Sequence, residues 1–303
     1  MLSFRIAAAV AALLLSSKLT TCRSPAQEGG GAAPEHEAAK PVDLPGINTT
    51  SLTAREKSEW SGYVSQLLAP CPDQPVSLAD CVRDKRACKA CVPAAEFLLA
   101  QVQQGKARSQ VEALYRVRFA PDQIKSIDVA GSPAKGAAKP TVTIVEWADF
   151  ECPACAAARS VLDDLVEKHP NDVRLVFKHF PLSIHPNAET AARAAVAAAK
   201  QGKFWQMHRL LFENQDRGLD RANIDRVARE AGLDMKQFAR DLESEAAADA
   251  VARDRKLGEK FELGGTPTLF INGRQFRAGD DFPGDLDEWV KLEILLGAGK
   301  AGK

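Results

Sequence analysis

Between residues 141 and 166 the chain places a strand, a pair of cysteines and a helix in immediate succession, and that order narrows the folds open to it. Residues 141–147, Thr-Val-Thr-Ile-Val-Glu-Trp, are a β-branched run without turn signals, which suits a strand buried on both faces. Cys152-Pro153-Ala154-Cys155 follows within a few residues, and Val161, Leu162, Leu165 and Val166 then recur at helical spacing. Cys152 is therefore expected at a helix N-terminus, where unpaired N–H groups and the helix dipole favour a thiolate. Pro153 can start the helix without giving up a needed donor. The thiolate is the attacking species in disulfide exchange, so this placement supplies what the chemistry requires.

The rest of the C-terminal half continues the pattern. A second strand is expected at 173–178 and helices over most of 187–262. After Gly264-Gly265 come Thr266-Pro267, an apolar strand at 268–271, a turn at Asn272-Gly273, another strand near 275–277 and a terminal helix around 286–296. Proline at a strand start is tolerated, and a cis Thr-Pro bond there would be a costly feature retained for a purpose.

These residues resemble the DsbA-like thiol-disulfide oxidoreductases, which have the thioredoxin fold. The likeness spans about 141–300. It rests on Glu146-Trp147-Ala148-Asp149-Phe150-Glu151-Cys152-Pro153-Ala154-Cys155, Phe177-Lys178-His179-Phe180-Pro181-Leu182 with His185-Pro186, Gly202-Lys203-Phe204-Trp205 and Gly265-Thr266-Pro267-Thr268. The 88 residues from His179 to Pro267 exceed one crossover helix, which agrees with that family's helical insertion, expected at about 185–262. The resemblance implies an α/β domain in which Cys152 is the exposed nucleophile and Cys155 the buried resolving cysteine. It also implies that Thr266, Pro267, Pro153 and Ala154 meet the substrate, with Thr266 backbone holding a client segment as an added strand. Glu146 matches the acid buried beneath the cysteines, where desolvation would raise its pKa and let it move the Cys155 proton; the plainer reading is a carboxylate exposed at a strand end.

Other polar residues carry less. His179 and His185 read as packed or solvated side chains rather than bases, and His169 and His208 as surface helix residues. Phe204, Trp205, Met207 and Leu211 have the spacing of core residues. Glu146, Asp149 and Glu151 are acids near Cys152, and Pro153-Ala154 offers no cation, so a weaker oxidant is expected than relatives with histidine between the cysteines.

The N-terminal half reads differently. Arg5, the apolar run 6–15 and the polar stretch up to Cys22 form an expected export signal over 1–21. Leu19-Thr20-Thr21-Cys22 resembles the lipobox of bacterial lipoproteins, with Thr21 and Lys18 as departures, so Cys22 is the expected lipidation site. Without it six cysteines remain, an even number that can pair fully in an oxidising compartment. Residues 22–50, rich in Gly, Ala, Pro and Glu, are expected as a flexible tether.

From 51 to 130 the periodicity is helical, with capping-box patterns at Thr53-x-x-Glu56 and Ser109-x-x-Glu112 and a stop at Gly105. A small all-α domain with four cysteines is expected there, joined by a linker at 131–140 to the catalytic domain at 141–300. A unit of this size gains from covalent staples, so Cys71, Cys81, Cys88 and Cys91 are first read as two structural disulfides. If 77–91 were one helix, Cys81 and Cys88 would be about 10 Å apart, too far to bond. That leaves Cys71–Cys81 with Cys88–Cys91, unless a break near Arg86 permits the nested alternative. A redox-active Cys88-Lys89-Ala90-Cys91 pair and a four-cysteine zinc site are further readings, the second weakened by the single CxxC.

Charge excludes other classes. Forty Lys and Arg balance forty Asp and Glu, so no positive field favours nucleic acid. The expectation is a periplasmic or cell-envelope, lipid-anchored enzyme without cofactor or catalytic metal, acting on exported proteins and recycled by a membrane redox partner. Its membrane contact would be through the N-terminal lipid alone. Two alternatives stand beside it: an envelope reductase for a specific partner, such as one in cytochrome c maturation, and a non-catalytic, cysteine-stapled binding lipoprotein.

Overall fold

The computed structural model describes residues 39–71, 73–277 and 282–297. The expected signal, Cys22 and most of the tether lie outside the described residues. Helix α1 spans Ala54–Gln66, α2 Leu78–Arg83, α3 Cys91–Gln103 and α4 Arg108–Phe119. Thr53 and Glu56 form the expected capping box on α1. The second box is absent: Ser109 lies inside α4, whose first turn is instead closed by the Gln110 side chain on the Ala107 N–H at 3.0 Å.

The four helices enclose a core built on Trp60, Val64, Leu78, Leu98, Val111 and Phe119. Trp60 donates its indole N–H to the Ala95 carbonyl at 3.0 Å, so its one polar atom is satisfied inside. The end of the expected tether also belongs here. Leu44 is buried in this core, and Val42 N–H donates to Ser61 Oγ at 2.9 Å. The polar composition of 22–50 concealed these apolar anchors.

All four cysteines of this half are bonded, but in neither expected pairing. Cys71 joins Cys88 and Cys81 joins Cys91, with Cα separations of 5.9 and 6.1 Å. The exclusion by helical rise fails because residues 77–91 are not one helix. Helix α2 stops at Arg83, Lys85 takes a left-handed φ of 50°, and Arg86 N–H turns back to the Cys81 carbonyl at 3.1 Å. Cys88 and Cys91 are thus not bonded to each other, and no sulfur of the four is free to hold zinc in this state.

The C-terminal half is built on a mixed sheet. Strand β1 is Ala134–Gly136, β2 Val142–Ala148, β3 Val173–His179, β4 Thr268–Ile271 and β5 Arg274–Gln275, in the spatial order β1-β3-β2-β4-β5. Strands β2 and β3 are parallel and connected by α5, Pro153–Lys168; the other pairs are antiparallel. The parallel pair requires a crossover, and α5 supplies it. This strand-helix-strand unit followed by an antiparallel hairpin and a closing helix is the thioredoxin fold. Between β3 and β4 stand the inserted helices α6 Ala188–Lys200, α7 Phe204–Glu213, α8 Arg221–Glu230, α9 Met235–Leu242 and α10 Glu245–Lys260. The terminal helix α11 is Phe282–Gly297.

Side-chain alternation along β2 sorts the two faces. Val142 and Ile144 pack with Ala158, Leu162 and Leu165 of α5 and with Trp289 and Val290 of α11. Val145 and Trp147 face the other way, against Leu257 of α10 and Phe261.

The expected linker is instead partly sheet. Ala134–Gly136 pair antiparallel with β3, because backbone groups alone suffice to add an edge strand. Gly136 has φ 97°, and a Cβ there would strike the Val173 carbonyl. The two halves also bond directly: Lys125 N–H donates to the Gly273 carbonyl at 2.7 Å, and the Arg118 guanidinium lies 4.8 Å over the Trp289 ring.

Candidate active site

Strand β2 delivers Asp149-Phe150-Glu151 to the start of α5, where Cys152 is the N-cap and Pro153 the first helical residue. Cys152 carbonyl accepts from Cys155 and Ala156 N–H groups at 3.1 and 3.2 Å, which closes the first turn. Cys155 is then fully buried, and Cys152, expected to be exposed, is itself buried at 7% exposure because the Thr266 backbone lies against it, while Pro153 and Ala154 are exposed beside it. Both sulfurs are free thiols. The bond between Thr266 and Pro267 is cis, and the Thr266 carbonyl lies 3.3 Å from Cys152 Sγ. Residues more than 100 positions apart are brought together because β4 pairs antiparallel with β2, Thr268 opposite Trp147.

The two thiols are pushed in opposite directions. The Cys155 thiol donates to Cys152 sulfur, and the Thr266 side chain and the Cys155 and Ala154 N–H groups add to it, so the Cys152 pKa falls to about 5 despite partial burial. Cys155, which must keep its proton to donate it and is buried as well, is held well above the usual thiol range. The result is two identical residues with opposite tendencies to ionise.

Glu146 is buried, 1% exposed, and its Oε1 has no hydrogen-bond partner. The exposed-carboxylate reading is therefore wrong. By alternation it shares the α5 face with Ile144, and desolvation raises its pKa to about 8, moderated by nearby Lys135. At neutral pH it is largely neutral.

The acids expected to oppose the thiolate are also occupied. Asp149 is buried and accepts from Leu182 N–H at 2.8 Å and Glu151 N–H at 2.7 Å, with His185 Nδ1 at 2.7 Å. Glu151 is held by the Asn187 backbone at 2.7 Å and its side-chain amide at 3.0 Å. The hydrogen bond to Asp149 raises the His185 pKa, and Cys152 thiolate adds to the effect. This partnership of His185 with Asp149, and through it with the Cys152 loop, was not revealed by its sequence position.

Three further features escaped sequence reading. Gln215, just beyond α7, donates to the Phe150 and Cys152 carbonyls at 2.6 and 3.0 Å and fixes the active-site loop from the insertion. Lys178 and Asp254 form a fully buried ion pair at 3.0 Å between β3 and α10, and Asp254 also accepts from His179 N–H at 3.2 Å. His208, expected at the surface, is buried against Phe150, Phe177, Phe204 and Phe212, and its pKa is lowered by burial. The signal was present: His208 follows Phe204 by four residues, on the same helical face. His179 is likewise buried and its pKa falls to about 4. Phe204, Met207 and Leu211 are core, as their spacing indicated, while Trp205 is half-buried. The four N-terminal cysteines belong to a different core from the Cys152 pair.

A family model described as Thioredoxin matches residues 128–291. Among curated proteins, one named Na(+)/H(+) antiporter NhaA 3, from Salinispora tropica, is 39% identical over 155 residues, 51% of this chain and 24% of that one. Another, Na(+)/H(+) antiporter NhaA 1 from Mycolicibacterium vanbaalenii, is 42% identical over 135 residues, 44% of this chain and 22% of its own. The chain thus spans about a quarter of the length of the curated relatives it matches. Similar solved structures include a thioredoxin-like oxidoreductase from Silicibacter pomeroyi, 32% identical with a TM-score of 0.48, covering 54% of this chain and 92% of that one. Oxidised BdbD from Bacillus subtilis is 23% identical with a TM-score of 0.49, covering 57% and 97%. Among the described residues no helix is long and apolar enough to cross a membrane.

Proposed function

Because the chain belongs to the thioredoxin family, we propose that it is a protein thiol-disulfide oxidoreductase acting on exported proteins through Cys152 and Cys155. The observation that carries this reading is the geometry at the start of α5: Cys152 and Cys155 are free thiols, Cys152 is the helix N-cap, and its sulfur lies 3.3 Å from the Thr266 carbonyl beside the cis Thr266-Pro267 bond. Cys152 thiolate attacks a client disulfide, one client sulfur leaves, and a mixed disulfide forms. Cys155 then loses its proton and attacks Cys152 sulfur, which releases the client thiol and leaves the Cys152–Cys155 disulfide. In reverse, the oxidised pair passes its disulfide to a reduced client.

Glu146 is the proposed proton carrier for Cys155, since a buried carboxyl with a pKa near 8 exchanges protons at neutral pH. Thr266 and Pro267 take the client backbone, and exposed Pro153, Ala154 and Ile184 offer it apolar surface.

The direction follows from the stabilised thiolate. A reduced form held at a low thiol pKa favours giving the disulfide away, and about 5 lies between roughly 7 for thioredoxin and roughly 3.5 for DsbA. The protein is therefore an oxidant of intermediate strength. The paired acids explain why it is not weaker: Asp149 and Glu151 spend their charge on His185 and Asn187 rather than on Cys152.

Placement in the cell envelope is supported by the signal-like residues 1–21 and by two disulfides, which persist in oxidising compartments. Lipidation at Cys22 and recycling by a membrane redox partner complete the proposal. Ion antiport is not assigned, because it is the name of proteins of which the aligned stretch is only a quarter. An insulin-reduction and peptide-oxidation assay on the full chain tests the reading. Activity that disappears in Cys152→Ser supports it, and activity unchanged by that substitution, or absent from the unaltered protein, refutes it. In Cys155→Ala, a persistent mixed disulfide would identify the clients.

A further inference from the structure

Outside the Cys152 pair, the N-terminal core holds a second concentration of sulfur. The Cys81, Cys88 and Cys91 sulfurs all lie within 4.8 Å of one another, although Cys88 is bonded to Cys71 and only Cys81 and Cys91 are bonded together. Two structural staples have no need to be so close. Disulfide exchange does need it, because the attacking sulfur must reach another bond without unfolding the chain.

The cluster reaches the surface at Cys71, while Cys81, Cys88 and Cys91 are buried, at 1%, 6% and 2% exposure. Cys71 is half-buried and lines an apolar groove of about 520 Å³ with Leu67, Leu68, Pro70, Tyr115 and Phe119. Cys81, Cys88 and Cys91 line a separate pocket of about 270 Å³ that includes Lys85 and Arg86, cations suited to stabilising a thiolate. Cys91 is the first residue of α3, but its N–H is bonded to the Cys88 carbonyl at 3.2 Å and Pro93 has no N–H, so the cationic side chains of Lys85 and Arg86, rather than the helix start, are what this pocket offers a thiolate.

We propose that the four N-terminal cysteines are a second thiol-disulfide exchange site, which relays two electrons from a protein dithiol at Cys71 to Cys91 in the basic pocket. A partner thiolate attacks Cys71 sulfur, the Cys71–Cys88 bond breaks, and Cys88 leaves as a thiolate. Cys88 attacks Cys81, forms Cys81–Cys88 and expels Cys91 thiolate into the pocket that it shares with Lys85 and Arg86. The partner's second thiol attacks its own sulfur in the mixed disulfide, and its proton passes to the departing Cys71. The partner is oxidised by two electrons, and the domain keeps one disulfide, one thiol and one thiolate. Attack of Cys88 at Cys91 instead, expelling Cys81, gives the same electron count. This site is independent of the Cys152 chemistry.

The test uses the full chain with Cys22→Ser, Cys152→Ser and Cys155→Ser, so that only the four cysteines react. In one arm Cys71→Ser is added, which leaves Cys88 as the single unpaired thiol. The protein is labelled with a maleimide under native conditions after circular dichroism confirms its helices. Relay predicts that label divides between Cys88 and Cys91 or Cys81, as assigned by peptide mass spectrometry; label confined to Cys88 overturns it. In the other arm all four cysteines are kept and limiting dithiothreitol is applied, so the result does not depend on the folding of a cysteine variant. Label at Cys71 together with Cys91 or Cys81, with Cys88 protected, supports the relay. Label at Cys71 with Cys88, label at Cys81 with Cys91, or no label at all overturns it.

Discussion

His185 Nδ1 lies 2.7 Å from Asp149 Oδ2, with the carboxylate completely buried and the imidazole still 19% exposed. The pair gives an acid three residues before Cys152 a specific partner. Asp149 raises the His185 pKa, and a protonated His185 in turn favours the Cys152 thiolate. Replacing His185 by Gln should therefore raise the Cys152 pKa, by less than about one unit because the ring is partly solvated. Thiolate absorbance against pH measures this directly. The stability gained from the pair has a definite sign: a histidine pKa raised on folding contributes fully below about 6.5 and the contribution fades as pH rises through the folded value. Unfolding of wild type and His185→Gln should differ most below about pH 6.5.

The reduced protein should show a thiolate titration centred at about pH 5 that vanishes in Cys152→Ser. A thiol pKa lowered on folding stabilises the native state fully above its unfolded value of 9.0, and the gain is lost as pH falls to about 5. Across that window the stability of the reduced protein relative to Cys152→Ser should rise with pH, by at most about 1.4 kcal/mol per unit. A flat difference in urea unfolding would contradict the lowered pKa.

Glu146 carries the opposite sign. Its folded pKa, near 8, lies above the ordinary carboxyl value of 4.5, so ionising it in place costs stability progressively as pH climbs between the two. Glu146→Gln should be more stable than wild type above pH 8. It should also resolve mixed disulfides more slowly, with the inflection near pH 8 gone from the rate of Cys155 attack in stopped-flow measurements.

Removing one partner of the Lys178–Asp254 pair leaves a charge with no access to water. Asp254→Ala should cost about 3–5 kcal/mol in chemical denaturation. Replacing both, as Lys178→Met with Asp254→Leu, should recover much of that loss, because the burial penalty disappears along with the attraction.

Much of the catalytic domain could be read in one dimension because its signals are local. A β-branched run, a cysteine pair and a helical stripe are adjacent in the chain, and β2, Cys152 and α5 appear where their pattern places them. Thr266-Pro267 was recognisable only as a motif. Its approach to Cys152 depends on strand pairing across more than 100 residues. Gln215 had no signal at all, since its role is to reach two backbone carbonyls of a distant loop. Lys178 was recognisable only as part of a motif, and its ion pair was not, because the counter-ion lies 76 positions away. The cysteine pairing went wrong for a related reason: one residue at positive φ, Lys85, reverses the chain between two helices and makes rise per residue the wrong ruler.

Periodicity and the CxxC motif, taken by themselves, located β2, β3 and the helix that starts at the cysteine pair, since backbone geometry acts over a few neighbours. Tertiary structure alone decided which acids would be charged, which thiol would hold its proton and which cysteines would bond. Those outcomes depend on desolvation and on partners supplied by remote segments, and neither quantity exists until the chain has closed around them.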